Sequence, residues 1–357
     1  MAMTERTTIE ELETPVLVAD LDAVERNIAT MQRYCDEHGF AFRPHIKTHK
    51  LPAIAHMQLS AGAVGVTCQK LGEAEVMAEA GVRDILITFP LVGTAKAERL
   101  AALARTTRMS VAADSPRVAR DLSAALSREG LCVDFLVDCD TGLGRTGVQS
   151  PEQATDLAVF AESLPGIRFA GLMTYPTEQQ SGPWLGAARD MIEARGLKVG
   201  WVSGGGTPTA FRTHEIGEVT EIRAGTYVYG DVNCIDDRTA GPEDCALGIR
   251  STVVSRPTQE RAILDAGSKA LSSDLPAYDR KGYGLIAEYP EAGIYALDEE
   301  HGYVEVGAGP EGLEVGEVVT IIPNHVCTAV NMHDETVAHR RGEIAAVWPI
   351  VGRGKIK

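Results

Sequence analysis

Two lysines, two histidines and an arginine fall within nine residues, FRPHIKTHK, Phe42 to Lys50, of a 357-residue chain whose formal net charge is −16. A lysine amine held in a site can, once it has lost its extra proton, form an imine with an aldehyde or ketone, and imidazole can carry its protons. The run 41–47 has a strand rhythm that puts His45 and Lys47 on one side, because side chains repeat every two residues. A second stretch, SGGGTP, Ser203 to Pro208, joins three glycines to a hydroxyl and a proline where a strand meets a helix. Backbone N–H groups in such a turn can approach an anion closely. The sober alternatives are a solvated basic loop and a flexible turn.

These residues need elements to hold them. Strands are expected at 41–47, 65–69, 84–90, 108–114, 133–140, 169–176, 198–206 and 221–229, with helical segments such as KLGEAEVMAEAG and TAKAERLAALARTT between them. Several of the strands are near-continuous apolar runs, as parallel strands covered on both faces require. Eight such units predict an α/β fold, a (β/α)8 TIM barrel, with an open doubly wound sheet as the competing topology. Near residue 245 the helical periodicity ends. STVVSRP, RAILDAGSKA, YVEVGAGP, EVVTIIPNHVCTAVN and EIAAVWPIVGRG read as short strands and turns. The expected organisation is a barrel over 1–244 and a β domain over 245–357.

In a barrel of this kind Lys47 ends strand one, and the glycines end strand seven, followed by Gly225 and Tyr227 after strand eight. Loops after the last two strands commonly cradle phosphate. An imine-forming lysine facing a phosphate cup points to pyridoxal 5′-phosphate. Arg145, in DCDTGLGRTGV, is a candidate partner for its ring nitrogen, and Tyr175 for lining the ring; both also fit structural roles. Arg43 and His45 are candidates for orienting the ring and its phenolic oxygen.

The motifs TPVLVADLDAVERNI, RPHIKTHK, CQKLGEAEVMAEAG, VDCDTGLGRTGV, GLMTYP, SGGGTP, EIRAGTYVYGD, LDAGSKALSSD and PNHVCTAVNMHDE run nearly end to end. On them the chain resembles the fold-type III pyridoxal-phosphate enzymes of the D-threonine aldolase and D-serine dehydratase group, with their alanine-racemase-like barrel. The resemblance implies Lys47 as the lysine that holds the cofactor, with His45 beside it at the catalytic centre. It implies Gly204, Gly205, Gly206, Thr207, Gly225 and Tyr227 around the phosphate, and a homodimer. It also implies a divalent metal (zinc, or manganese or magnesium) near the cofactor, for which NHVC supplies His325 and Cys327. Two apart, these would share one side of a strand, and imidazole with thiolate suits zinc. Read without the resemblance, they are a buried histidine near a buried cysteine. His333 and Asp334 in NMHDE carry no assignment.

The implied activity is a lyase acting on D-β-hydroxy amino acids. Retro-aldol cleavage to glycine and an aldehyde leads, and dehydration to a 2-oxo acid and ammonia is the alternative. The second metal ligand is typically aspartate in the family's aldolases and cysteine in its zinc dehydratases. A non-catalytic pyridoxal-phosphate-binding protein is the alternative of another class; the roughly 110 residues beyond the barrel count against it. The acidic balance disfavours nucleic acid. No window approaches 18 consecutive apolar residues, and MAMTERTTIEELE has no apolar h-region, so neither a membrane span nor a secretory signal is expected. Seven scattered cysteines predict reduced thiols and a cytoplasmic setting.

Overall fold

A computed structural model describes residues 7–307 and 312–357. The first six residues of the polar N-terminal stretch, and the end of the strand expected in YVEVGAGP, lie outside them. The described residues divide into two units. One comprises 7–29, 48–51, 226–307 and 312–354; the other comprises 30–47, 52–225 and 355–357.

The second unit is built on eight parallel strands. They are β2 (Ala41–Phe42), β3 (Val66–Cys68), β4 (Asp84–Ile87), β5 (Arg108–Ala113), β6 (Val133–Cys139), β7 (Ile167–Thr174), β8 (Trp201–Gly204) and β9 (Glu221–Ile222). Their order around the sheet is β2-β9-β8-β7-β6-β5-β4-β3. A parallel bridge between His45 and Thr67 joins the two ends. The Val64 amide donates to the Phe42 carbonyl (2.9 Å) and the Thr67 amide to the Pro44 carbonyl (2.8 Å), which closes the ring. Eight strands and the barrel are therefore observed, but three strands are much shorter than expected: 41–47 ends at Phe42, 198–206 spans Trp201–Gly204 and 221–229 ends at Ile222.

Sequence explains the closure locally. Every residue of β6 is buried, as a strand between a packed interior and a helical ring demands. Inside the ring, Leu86, Ala112, Leu136 and Met173 form one apolar cluster, with Trp201 packed against it. Outside it, the helices α3 (Leu71–Glu79), α4 (Thr94–Ala104), α5 (Pro116–Arg128), α6 (Pro151–Glu162) and α7 (Ser181–Ala194) bury Leu100, Leu122, Leu157 and Leu185 against the strands. Ser115 and Ser150 cap α5 and α6, each followed by proline in the first turn; such caps are each worth about 1 kcal/mol.

The first unit holds a nine-stranded sheet. Eight of its strands run in sequence from β10 (Leu247–Thr258) to β17 (Glu343–Pro349), and every pairing among them is antiparallel, as expected for the region after residue 245. The ninth is distant in sequence: β1 (Val16–Asp20) pairs antiparallel with β10 and parallel with β16 (Glu335–Arg340). No described helix is long and apolar enough to cross a membrane.

Candidate active site

Lys47 stands in a 3-10 turn, Ile46–Thr48, just beyond the C-terminal end of β2. Its position is fixed through His45. The His45 amide donates to the Ala224 carbonyl (3.0 Å), and the Lys47 amide donates to His45 Nδ1 (3.4 Å). An accepting Nδ1 leaves the proton on Nε2, which donates to Gln69 Oε1 (3.0 Å). Gln69 is held in turn, because Glu73 Oε2 accepts from the amides of Gln69 (2.8 Å) and Lys70 (3.1 Å). The turn carrying the reactive amine is thus tied to both neighbouring strands of the barrel.

The glycines after β8 are demanded by their surroundings. Gly205 has φ of +99°, where L side chains are strained. A Cβ on Gly204 would sit 2.7 Å from Thr177 Oγ1, and one on Gly206 would sit 2.8 Å from the Tyr175 ring. Arg145 places its guanidinium carbon 5.1 Å from the centroid of that ring. Tyr175, Arg145 and the glycine run are therefore brought together. The amide of Gly205, expected among the anion donors, donates instead to Thr177 Oγ1 (2.5 Å), so its part is to shape the turn. Thr207 is buried at the start of the 3-10 helix Thr207–Glu215, with Pro208 beside it. Gly225 is buried after β9.

Two charged groups that the sequence reading passed over belong here. Arg223 is buried; its Nε donates to Ser203 Oγ (2.8 Å) and its NH2 to the Thr174 carbonyl (2.6 Å). Burial lowers its pKa, while the charges of Glu221 and Asp138 oppose that, and Arg145 and Tyr175 lie close enough to act on it. Asp138, at the penultimate position of β6, is pushed up to about 6 by burial, against a hydrogen bond from Thr146 and the charge of Arg223. Its Oδ2 is buried without a partner in the protein. The signal was available: an arginine within EIRAG and an aspartate within FLVDCD interrupt apolar strands, and buried charges are rarely idle.

The shift at Asp138 has a sign. A carboxyl whose folded pKa lies above its unfolded value binds more protons folded than unfolded between the two, so stability falls as pH rises from about 4 to 6. The Asp138→Asn variant should escape that loss. Urea unfolding of the cofactor-free protein should show it gaining on the parent by on the order of 3 kcal/mol between pH 4 and pH 7.

Arg43 is not brought to this group. Its Nε donates to Glu221 Oε2 (2.8 Å) and its NH1 to Asp84. Asp84 and Glu221 are the first residues of β4 and β9, so the guanidinium lies at the N-terminal end of the barrel, opposite Lys47. Its expected place beside the cofactor is corrected by that geometry.

In the first unit, His325 and Cys327 are close enough for their side chains to hydrogen-bond, though not as expected. His325 precedes the short helix Val326–Val330, and Cys327 lies within it. Asp231 Oδ2 accepts from the Val326 amide (3.2 Å), which favours a helical start where a strand was anticipated. The hydrogen bond to Cys327 is the largest cause raising the His325 pKa to about 9 against burial; Asp231 and Asp274 add to it. His325 Nδ1 lies 3.1 Å from Asp274 Oδ2, which Thr328 Oγ1 also reaches (2.9 Å). Thr48 Oγ1 is 3.3 Å from Cys327 Sγ. Asp274 and Thr48, neither flagged by the sequence, therefore hold the pair. His333 bonds the Ala270 carbonyl through Nε2 (3.0 Å), and Asp334 pairs with Arg353 (2.9 Å); both are used structurally. Tyr227 is buried in this unit, in the turn Thr226–Val228.

A closed parallel barrel with a lysine at a strand's C-terminal end and a glycine turn after the seventh strand defines an alanine-racemase-like cofactor enzyme. The model of the alanine racemase N-terminal domain matches residues 19–233, and that of a putative serine dehydratase domain matches 246–339. D-threonine aldolase of Arthrobacter sp. is 35% identical, covering 97% of this chain and 94% of that one. The crystal structure of D-threonine aldolase from Filomicrobium marinum superposes with a TM-score of 0.89 at 33% identity, over 99% of both chains. D-threo-3-hydroxyaspartate dehydratase is similar too. Its cysteine-to-alanine variant in the metal-free form gives a TM-score of 0.86 at 29% identity, over 96% of this chain and 99% of that one. Its histidine-to-alanine variant gives 0.88 at 28%, over 98% and 97%. The chain belongs to the fold-type III pyridoxal-phosphate family of D-threonine aldolases and D-hydroxyaspartate aldolases and dehydratases, and it is a lyase.

The residues fit the family's cofactor. A lysine at the strand end, a glycine turn that any Cβ would block, and an unpartnered buried carboxylate oxygen at Asp138 are what a phosphorylated pyridine aldehyde needs around it. The thiol and imidazole of Cys327 and His325 are a donor set for a divalent ion such as zinc. No group of three His, Cys, Asp or Glu side chains is gathered for a metal among the described residues, so the pair would leave coordination positions for other ligands.

Proposed function

We propose that this chain cleaves D-configured β-hydroxy amino acids, D-threonine foremost, between Cα and Cβ to give glycine and an aldehyde. The observation that carries the reading is the Lys47 turn, tied through His45 and Gln69 at the barrel mouth, in a chain similar over nearly its whole length to a D-threonine aldolase. Pyridoxal phosphate, when bound, supplies an electron sink for the charge left at Cα. Lys47 would hold it and, once displaced by the substrate amine, keep a base at hand. Arg145 and Tyr175 would line the ring, with Arg223 and Asp138 setting the charge around it. Gly204, Gly206, Thr207, Gly225 and Tyr227 would surround the phosphate. His325 and Cys327 would hold a divalent ion, which as a Lewis acid lowers the cost of negative charge on a substrate oxygen.

Dehydration to a 2-oxo acid and ammonia is the second reading. The His-x-Cys pair favours it, because the similar D-threo-3-hydroxyaspartate dehydratase has been solved with a histidine and a cysteine, two positions apart, each replaced by alanine, the latter metal-free. A panel of D- and L-threonine, D-serine and D-3-hydroxyaspartate, assayed with and without zinc or manganese, tests the proposal. Turnover confined to D-enantiomers and lost on chelation is expected; turnover of L-threonine at a comparable rate would reject it.

Asp274 bears on the metal. A carboxylate orienting a ligating imidazole typically contributes 10–100-fold to affinity. Asp274→Asn should therefore weaken zinc binding by roughly that factor in a competition titration against a chromophoric chelator. A cytoplasmic homodimer completes the reading: all seven cysteines are free thiols, and the dimer rests on the family resemblance, to be checked by sedimentation.

A further inference from the structure

Arg43 leaves part of the opening motif unexplained, and its surroundings offer an account. At the N-terminal end of the barrel lies a cavity of about 400 Å³, lined by Arg43, Arg108, Arg168, Lys198, Phe169 and Trp201, with Asp134 at its edge. That volume is in the range of small-molecule sites. The layer of Leu86, Ala112, Leu136 and Met173, with Trp201 packed against it, fills the barrel between this cavity and the strand ends that carry Lys47. The cavity is a separate place from the candidate active site.

Its charges are built in a definite way. Arg43 is held by Glu221 and Asp84. Arg108 reaches Asp84 (3.5 Å) and Asp134 (3.3 Å), and Arg168 Nε donates to Asp134 (3.1 Å). Glu162 accepts from the Phe169 amide (2.8 Å) and acts on Arg168 as well, whereas Lys198 makes no ion pair among the described residues. In a chain of net charge −16, this leaves the Lys198 ammonium open to an anion at a cleft with an indole and a phenyl wall. The Arg43 guanidinium carbon lies 5.3 Å from the Trp201 ring centroid, a cation–π contact that keeps the indole in place.

We propose that this cavity binds a small planar monocarboxylate, its flat apolar body against Trp201 and Phe169 and its carboxylate on Lys198 and the outer edges of Arg108 and Arg168. The single ammonium of Lys198 matches one negative charge. The fork of a guanidinium suits a carboxylate, and the aromatic walls take a ring in offset or edge contact.

The test is calorimetric titration of the holoenzyme with benzoate, with benzamide as its neutral isostere, alongside tryptophan fluorescence. Benzoate should bind saturably, benzamide at least about tenfold more weakly, and Lys198→Gln should weaken benzoate by about the same factor while leaving turnover unchanged. Lys198 makes no ion pair whose loss would endanger folding, so this variant keeps the test clean. Trp201→Phe should remove the fluorescence response that Trp184 and Trp348 do not report. Benzoate binding that is absent, equalled by benzamide, or unaltered in Lys198→Gln would overturn the proposal; the last result would place benzoate at the barrel mouth.

Discussion

The Lys47→Ala variant is expected to lose lyase turnover by at least about 10⁴-fold, since it removes both the covalent anchor and the nearest base. Borohydride should fix the cofactor covalently to the parent chain and not to the variant. The fold should survive, because Lys47 is itself only half-buried between the buried Ile46 and Thr48, in a turn whose geometry is set by backbone and His45 contacts. A variant that kept full activity, or that still became labelled on reduction, would remove Lys47 from the centre of the account.

Arg43→Met is expected to act in the opposite manner. Glu221 has a side chain only 2% exposed, and Asp84 only 20%. Removing the guanidinium leaves a buried carboxylate without its counter-charge, a change that typically costs about 3–5 kcal/mol. Denaturant unfolding should show a loss of that order. The folded variant, at low temperature, should retain the cofactor as tightly as the parent. A variant as stable as the parent but unable to hold the cofactor would return Arg43 to the active site and contradict the geometry described for it.

These two residues show what the chain states openly and what it does not. The expected alternation does not reach Lys47, because β2 ends at Phe42 and Lys47 lies in the 3-10 turn Ile46–Thr48, while Arg43 is held at the first residues of β4 and β9. Sharing a side of a strand is not sharing an end of a barrel. The eight strands were legible because each is an apolar run closed by turn residues. The membership of Val16–Asp20 was not: its partners lie some 230 and 320 positions away, at Leu247–Arg250 and Val337–His339, and no local pattern encodes such pairing. Lys47 and the glycine turn could be read from residue type and place alone, as could Tyr175 and Arg145. Arg223 and Asp138 could have been found as charges interrupting apolar strands, but Thr48 and Asp274 could not, since each matters through a partner that only folding supplies. At NHVC, the five residues of the helix Val326–Val330 are too few for periodicity to separate strand from helix. The capping carboxylate that favours the helix, Asp231, lies 95 positions away from Val326.

The most direct measurement of the central claim is product analysis of the purified, metal-supplemented holoenzyme given D-threonine. The account predicts glycine and acetaldehyde in equal amounts, with little ammonia. Ammonia and 2-oxobutyrate without glycine would contradict it, and would mean that the His325–Cys327 pair serves elimination of the hydroxyl group, not cleavage of the carbon chain.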